Sequence, residues 1–366
     1  MPHTRPLRFL VEADRLFRRA CVDQDRSHFH EALRKFSTAL VSYKHANHRS
    51  SQVDTLLKIG DISRQTESFK NARRAYRSAF ELVRKSRISV EIQKRHDALL
   101  GEALCLRGEG HYKQALQNFR ACLSYYEQSD DLEGQAYILW AMGTTERFAG
   151  QFKKAERHLK KSGAFYIRIK DQSGAAYALS ALGGTHRMMG HPKKSLLCYR
   201  RANAIFKKFN DRFGLAYSFC GQSNALRMQN KINEALPLME RAERLYRSLK
   251  LKGPLAFVLW SRSQAYCAIQ RWDAAEKTLT ASSRLFRAVR DQRGLLYANL
   301  GRAGILMNKN KLIYKRVFKE SLKKATQLSL PFETAHALRA SHPKRAATLY
   351  RRCGVSSQFF LYRTLP

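Results

Sequence analysis

Two periods are nested in the pattern of apolar and polar residues. The short one is helical. From Ala136 to Phe148 apolar residues recur at three- and four-residue spacing, and Gly150 breaks the run. From Phe152 to Ile169 the pattern is amphipathic: Phe152, Ala155, Leu159, Phe165 and Ile169 alternate with Lys153, Lys154, Arg157, Lys160 and Lys161. This spacing predicts two helices joined by a tight turn. Asp171-Gln172-Ser173-Gly174 ends one pair and begins the next, as do Asp211-Arg212-Phe213-Gly214 and Asp291-Gln292-Arg293-Gly294.

The long period is 40 residues. Gly134, Gly174, Gly214 and Gly294 share a column, with Gly253-Pro254 in the same place. Ala136, Ala176, Ala216 and Ala256 follow, then Tyr137, Tyr177, Tyr217, Phe257 and Tyr297. Self-similarity at a fixed period marks an array in which each unit packs only on its neighbours. A chain of 366 residues would otherwise be expected to hold two or three domains; the repeat makes one continuous array the expectation.

Three further columns are small: Gly143, Gly183, Ser223, Ser263 and Ala303; Ala155, Ser195, Ala235 and Ala275; and Ser162, Ala202, Ala242 and Ser282. With the large residue before the first column and the aromatic after it, this pattern resembles the tetratricopeptide repeat (TPR), in its 40-residue variety. The frame runs backwards through Ala103, Gly110, Tyr112 and Ala115, through Gly60, Phe69 and Ala72, and through Ala20, Phe29 and Ala32, slipping by three residues once. The resemblance implies an all-α, right-handed α-solenoid of about eight helix-turn-helix repeats with a C-terminal capping helix. The repeats are expected at about 5–47, 51–90, 92–132, 134–173, 174–213, 214–253, 254–293 and 294–332, with 333–366 a basic C-terminal cap or tail. Lys315 stands in the column of Ala155, as in a decaying terminal repeat. Ser341-His342-Pro343 can start a last helix and Gly354 can end it. Phe359, Phe360, Leu361 and Tyr362 then either pack on the last repeat or form a hook.

Composition changes this picture in one respect. The hydrophobic share of 44% supports a long core, and the formal charge is +39. Residues 151–366 carry 43 of the 68 Lys and Arg but only 11 of the 29 Asp and Glu. A positive field of this size draws anionic partners. The seven cysteines are odd in number and lack a C-x-x-C, which fits neither a zinc site nor a disulfide framework. With no secretory h-region near the start, the sequence reads as cytoplasmic. It contains no G-x-x-x-x-G-K-[ST], G-x-S-x-G or H-E-x-x-H, so neither an enzyme nor a cofactor is expected.

The candidate binding residues lie in columns. Arg64, Arg107, Arg147, Arg187 and Arg227 fall four residues after the small residue of the first helix. By the TPR resemblance that position, with Asn224 and Gln264 nearby, points into a concave groove, and Tyr137, Tyr177 and Tyr217 lie near the same face. A guanidinium fork matches carboxylate or phosphate with two bonds. Each Arg instead closes a turn or pairs with a neighbouring acid in the plainer reading, and the Tyr column then belongs to the core. On the second helix, Lys153, Lys154, Lys160, Lys161, Lys193, Lys194, Lys207 and Lys208 form a basic face, either simply solvated or an anion and phosphate surface. Two functions follow. One is a TPR adaptor that holds an acidic or extended protein segment in its groove. The other is a basic TPR protein that binds RNA or DNA backbone without sequence specificity. The TPR resemblance implies no base-reading code of the kind that PUF and PPR repeats carry. A third reading takes the charge as a property of the host proteome.

Overall fold

The computed structural model describes residues 4–26, 28–306, 311–339 and 341–356. Among the described residues every regular element is an α-helix, and the helices pair into antiparallel hairpins. They fall into two compact units, divided between Asp131 and Leu132, where the repeat pattern predicts one continuous array. The first unit holds α1 (Thr4–Asp25) and α2 (Phe29–His45), α3 (Arg49–Gln65) and α4 (Phe69–Val83), and α5 (Ser89–Gly108) and α6 (Tyr112–Gln128). The second holds α7 (Leu132–Phe148) and α8 (Phe152–Arg168), α9 (Gln172–Met188) and α10 (Pro192–Lys208), α11 (Arg212–Met228) and α12 (Ile232–Ser248), α13 (Lys252–Ala268) and α14 (Trp272–Ala288), α15 (Gln292–Leu306) and α16 (Lys311–Gln327), and α17 (Pro331–Leu338) and α18 (Pro343–Cys353). In each pair the first helix is called A and the second B. The fold is a TPR-type α-solenoid.

The 40-residue period has a simple construction. From α7 to α14 every helix has 17 residues and every linker three. The middle linker residue is left-handed each time: Gly150, Lys170, Gly190, Asn210, Asn230, Lys250, Gln270 and Arg290, with φ from 55 to 86°. Lys170 N–H donates to Ile167 and Asp171 N–H to Tyr166, which satisfies the last carbonyls of α8 in a Schellman motif. The carboxylate of Asp171, Asp211 or Asp291 then accepts from the N–H of Gly174, Gly214 or Gly294 and caps the next helix. The slip in the repeat comes from α5, which has 20 residues instead of 17.

Small columns let helices touch. Ala155, Ser195, Ala235 and Ala275 have no exposed surface, and neither do Ser162, Ala202, Ala242 and Ser282. Ser162 and Ser282 donate across the hairpin to the carbonyls of Ala136 and Ala256 at 2.8 and 2.7 Å. The glycine column has the same cause. A Cβ at Gly174 would lie 2.4 Å from the Tyr166 ring, and one at Gly214 or Gly294 would lie 2.3 or 2.2 Å from Phe206 or Phe286. Helices α8, α10 and α14 therefore end on a ring packed under the start of the next A helix.

The last hairpin of the second unit returns to its first. Phe332 packs edge-on against Phe152 at 5.5 Å. Pro331 and Cys353 press on Gly150, and Gly354 lies beside Lys153. Ser356 N–H donates to the carbonyl of Met189 at 2.9 Å. The Arg293 guanidinium stands 4.9 Å above Phe148. Contacts between the end of α7 and the start of α15 place the A helices on the inside of this unit. Helix α18 runs between the start and stop signals read from the sequence, with Gly354 left-handed at φ 83°. Helix α17 has no counterpart in the sequence reading. Phe359, Phe360, Leu361 and Tyr362 lie outside the described residues.

Two substitutions test this construction. Lys170→Gly relieves a left-handed L-residue at some cost in unfolded-chain entropy, and raises the unfolding free energy by about 0.5–1 kcal/mol. Gly174→Ala drives a methyl into Tyr166 and lowers it by about 1–3 kcal/mol. Urea unfolding followed by circular dichroism reads both.

Candidate functional site

The arginine column divides between the units. Arg107 ends α5 in the first unit and is half-buried. Arg147, Arg187 and Arg227 end α7, α9 and α11, three successive A helices on the inside of the second unit. Arg147 lies against Gly184 of α9, where a Cβ would meet its guanidinium, and 5.1 Å from the Phe148 ring. Its Nε is buried without a hydrogen-bond partner, as is that of Arg187. Among the described residues neither Arg147 nor Arg187 forms an ion pair, and both keep part of their surface exposed. Arg227 is buried. It donates to the Asn224 side chain at 3.2 Å and lies 5.7 Å from the Trp260 ring. Burial first, then the positive charge of Arg187, loosen the hold of Arg227 on its proton.

The polar residues expected beside this column are buried. Asn224 accepts from Ser261 at 2.6 Å as well as from Arg227, so it braces the arginine. Gln264 is 5% exposed and packs against Gly301. The Tyr residues pack on neighbouring rings and stay half-buried. Tyr177 packs edge-on against Phe206 at 4.9 Å and donates to Asp211 at 2.7 Å. Tyr217 stacks on Phe213 and meets Tyr199 edge-on. Tyr137 leans on Trp140. Burial, then the bond to Asp211, push the Tyr177 phenol up.

The sequence reading missed Glu333 of this interior and took Glu146 only as a neighbour of Arg147. Glu333 of α17 is fully buried and accepts from Arg293 at 2.8 Å and from Tyr297 at 3.1 Å. Glu146, 1% exposed, bonds to His158 at 2.7 Å. Leu330-Pro331 was the available signal for α17, since Pro favours the first turn of a helix. The lysines Lys153, Lys154, Lys160, Lys161, Lys193, Lys194, Lys207 and Lys208 are all exposed on α8 and α10. All seven cysteines are free thiols. Burial pushes Cys353 up to about 12, so it is a poor nucleophile where it sits. Among the described residues no group of acids, His and Cys is placed to hold a metal, and no helix is long and apolar enough to cross a membrane.

The closing hairpin should respond to pH. His336 of α17 is buried 3.0 Å from the Tyr350 hydroxyl of α18. Burial, and then Arg339, lower it from 6.5 to about 3. The unfolded chain therefore takes up a proton between those values that the folded chain refuses. Stability present above pH 6.5 falls as the pH drops toward 3. His186, also lowered by burial, acts in the same direction. Urea midpoints measured from pH 7 to pH 5 should fall, with a slope of at most about 1.4 kcal/mol per pH unit from this one group. His336→Gln should make the slope shallower.

Comparison with known proteins agrees with this geometry. A family model described as tetratricopeptide repeat matches residues 95–168. No curated protein sequence matches the chain. Among solved structures it is similar to the apo form of RapI, with a TM-score of 0.66 at 14% identity over 76% of this chain and 99% of that one. It is similar to the Rap conjugation gene regulator of the plasmid pLS20 in complex with the Phr* peptide, with a TM-score of 0.64 at 13% identity over 86% and 95%. It is also similar to a tetratricopeptide repeat protein from Parabacteroides merdae, with a TM-score of 0.54 at 14% identity over 85% and 99%. The family model places tetratricopeptide repeats at residues 95–168, and the repeating columns and the hairpin stack carry the same fold through the described helices.

Proposed function

We propose that the chain is an adaptor whose second unit holds an acidic or extended segment of another protein against the inner arginine column. The observation that carries this reading is the state of Arg147 and Arg187. Both are half-buried cations on the inside of the unit, each with a buried Nε that finds no acceptor. An unsatisfied buried donor costs about 1–3 kcal/mol, which a carboxylate from a ligand would offset. Charge-assisted bonds of this kind are strong, and the guanidinium fork fits a carboxylate plane. The roles divide by exposure. Arg147 and Arg187 reach the ligand, while Arg227 and Asn224 hold the column in place. Tyr177 and Tyr217 line the wall with half-buried rings. One structural neighbour was solved with a peptide, which supports the reading by analogy of fold alone.

The probe is a fluorescein-labelled peptide of about eight residues alternating Glu and Ala, read by anisotropy. The native protein should bind it. Replacing Arg147 and Arg187 together with Met should weaken binding by on the order of 10- to 100-fold. Lys193→Gln with Lys194→Gln should leave it unchanged. Equal affinity in the arginine and lysine variants would overturn the reading.

A further inference from the structure

The outer face of the second unit carries a different arrangement of charge. Helices α8 and α10 each present six Lys or Arg: Lys153, Lys154, Arg157, Lys160, Lys161 and Arg168 on one, Lys193, Lys194, Arg200, Arg201, Lys207 and Lys208 on the other. All twelve are exposed. Glu156, already bonded to Lys160 at 2.7 Å, is the only acid on either helix. The neighbouring B helices do not share this composition. Helix α12 sets Glu234, Glu240 and Glu243 among its arginines, and α14 sets Asp273 and Glu276 among its cations.

The placement within each helix also runs against local stability. A helix N-terminus is the positive end of its dipole and favours acids, each interaction amounting to about 0.3–1 kcal/mol. Helices α12 and α14 follow the rule with Glu234 and Asp273 in the first turn. Helices α8 and α10 place Lys153-Lys154 and Lys193-Lys194 there instead. The pairs recur seven residues on, at Lys160-Lys161 and Arg200-Arg201, so they form a stripe with a step of about 10 Å along the axis. Along the two helices one acid, Glu156 on Lys160, stands against twelve cations. A local rule broken twice at the same place without a structural gain marks a functional surface.

We infer that the outer face of α8 and α10 binds the phosphate backbone of a single-stranded nucleic acid, at a surface separate from the inner arginine column. Evenly stepped cations track a repeating charge, and this contact reads no sequence. Phe209, 51% exposed with Lys208 5.6 Å above its ring, offers a face for a base at the end of the stripe. An anionic membrane fits less well. A membrane-surface helix turns an apolar face to the lipid, whereas the apolar face of α8, with Phe152, Ala155, Leu159 and Tyr166, is sunk in the protein.

The probe is a labelled oligo-dT strand of about 20 nucleotides, titrated at about 50 and 200 mM salt. Binding should be tight at the lower salt and fall by on the order of 10³ at the higher. Changing Lys193, Lys194, Arg200 and Arg201 to Glu should weaken it by on the order of 100-fold at low salt and flatten the salt slope. Changing Arg284, Arg287, Lys319 and Lys323 to Glu makes the same charge difference on α14 and α16, and should change affinity less than about threefold. Gln at the four α10 positions gives a milder version if the Glu variant folds poorly. The Glu-Ala peptide should bind the α10 variant as it binds the native protein, which separates this surface from the inner one. No binding at low salt would overturn the inference. So would equal losses in the two Glu variants, or binding to phosphatidylserine vesicles without binding to the strand.

Discussion

Three joints of the second unit depend on one packing contact, the aromatic ring at the end of a B helix lying against a backbone with no side chain at the start of the next A helix. Tyr166 under Gly174, Phe206 under Gly214 and Phe286 under Gly294 fix the distance and tilt from one hairpin to the next. The three-residue linkers, each with a left-handed centre, fix the path between helices. Helices and linkers of constant length make a residue at one position of a hairpin reappear at the matching place in the next. Ladders of chemistry are then a product of the packing. An arginine kept at one site of the A helix becomes an inner column, and a lysine pair kept at one site of the B helix becomes an outer stripe.

The two ladders differ in residue type as physics requires. The inner column is all arginine. A guanidinium is weakly hydrated and tolerates the half-buried interior, where its flat face rests on Phe148 or Trp260. The first turns of α8 and α10 use lysine, whose ammonium is strongly hydrated and belongs in water. Inside the far end of the unit, the buried Glu333 accepts from Arg293 and Tyr297. It balances Arg293 of α15, whereas Arg147 and Arg187 form no ion pair among the described residues.

Most of the hairpin construction was legible in the sequence because it rests on local rules. Helix ends showed as Asp-x-x-Gly and as Gly150 in a turn, and close contacts showed as Ala, Ser and Gly at fixed spacing. The remainder depends on distant contacts. Helix α17 has eight residues, little more than two turns, which is too short a run for its period to stand out. The burial of Asn224 and Gln264 comes from neighbouring A helices converging on the inside, and no local pattern reports convergence. The bond from Arg293 to Glu333 joins residues 40 apart, yet the second of them interrupts no column and so gave no sign. The division between Asp131 and Leu132 likewise leaves no break in the run of apolar positions.

The return of the last hairpin onto the first has a consequence for synthesis. Hairpins pack on their predecessors, so the second unit can assemble stepwise as the chain leaves the ribosome. The closing contacts cannot. Phe148 waits for Arg293 and Phe152 waits for Phe332, partners about 150 to 180 residues later in translation. Elongation at about 5–20 residues per second makes that wait roughly ten seconds or more. For that interval the inner arginines face an open trough. A partner engaged on the nascent chain would be enclosed when α17 and α18 dock, and would then have to leave through a closed turn.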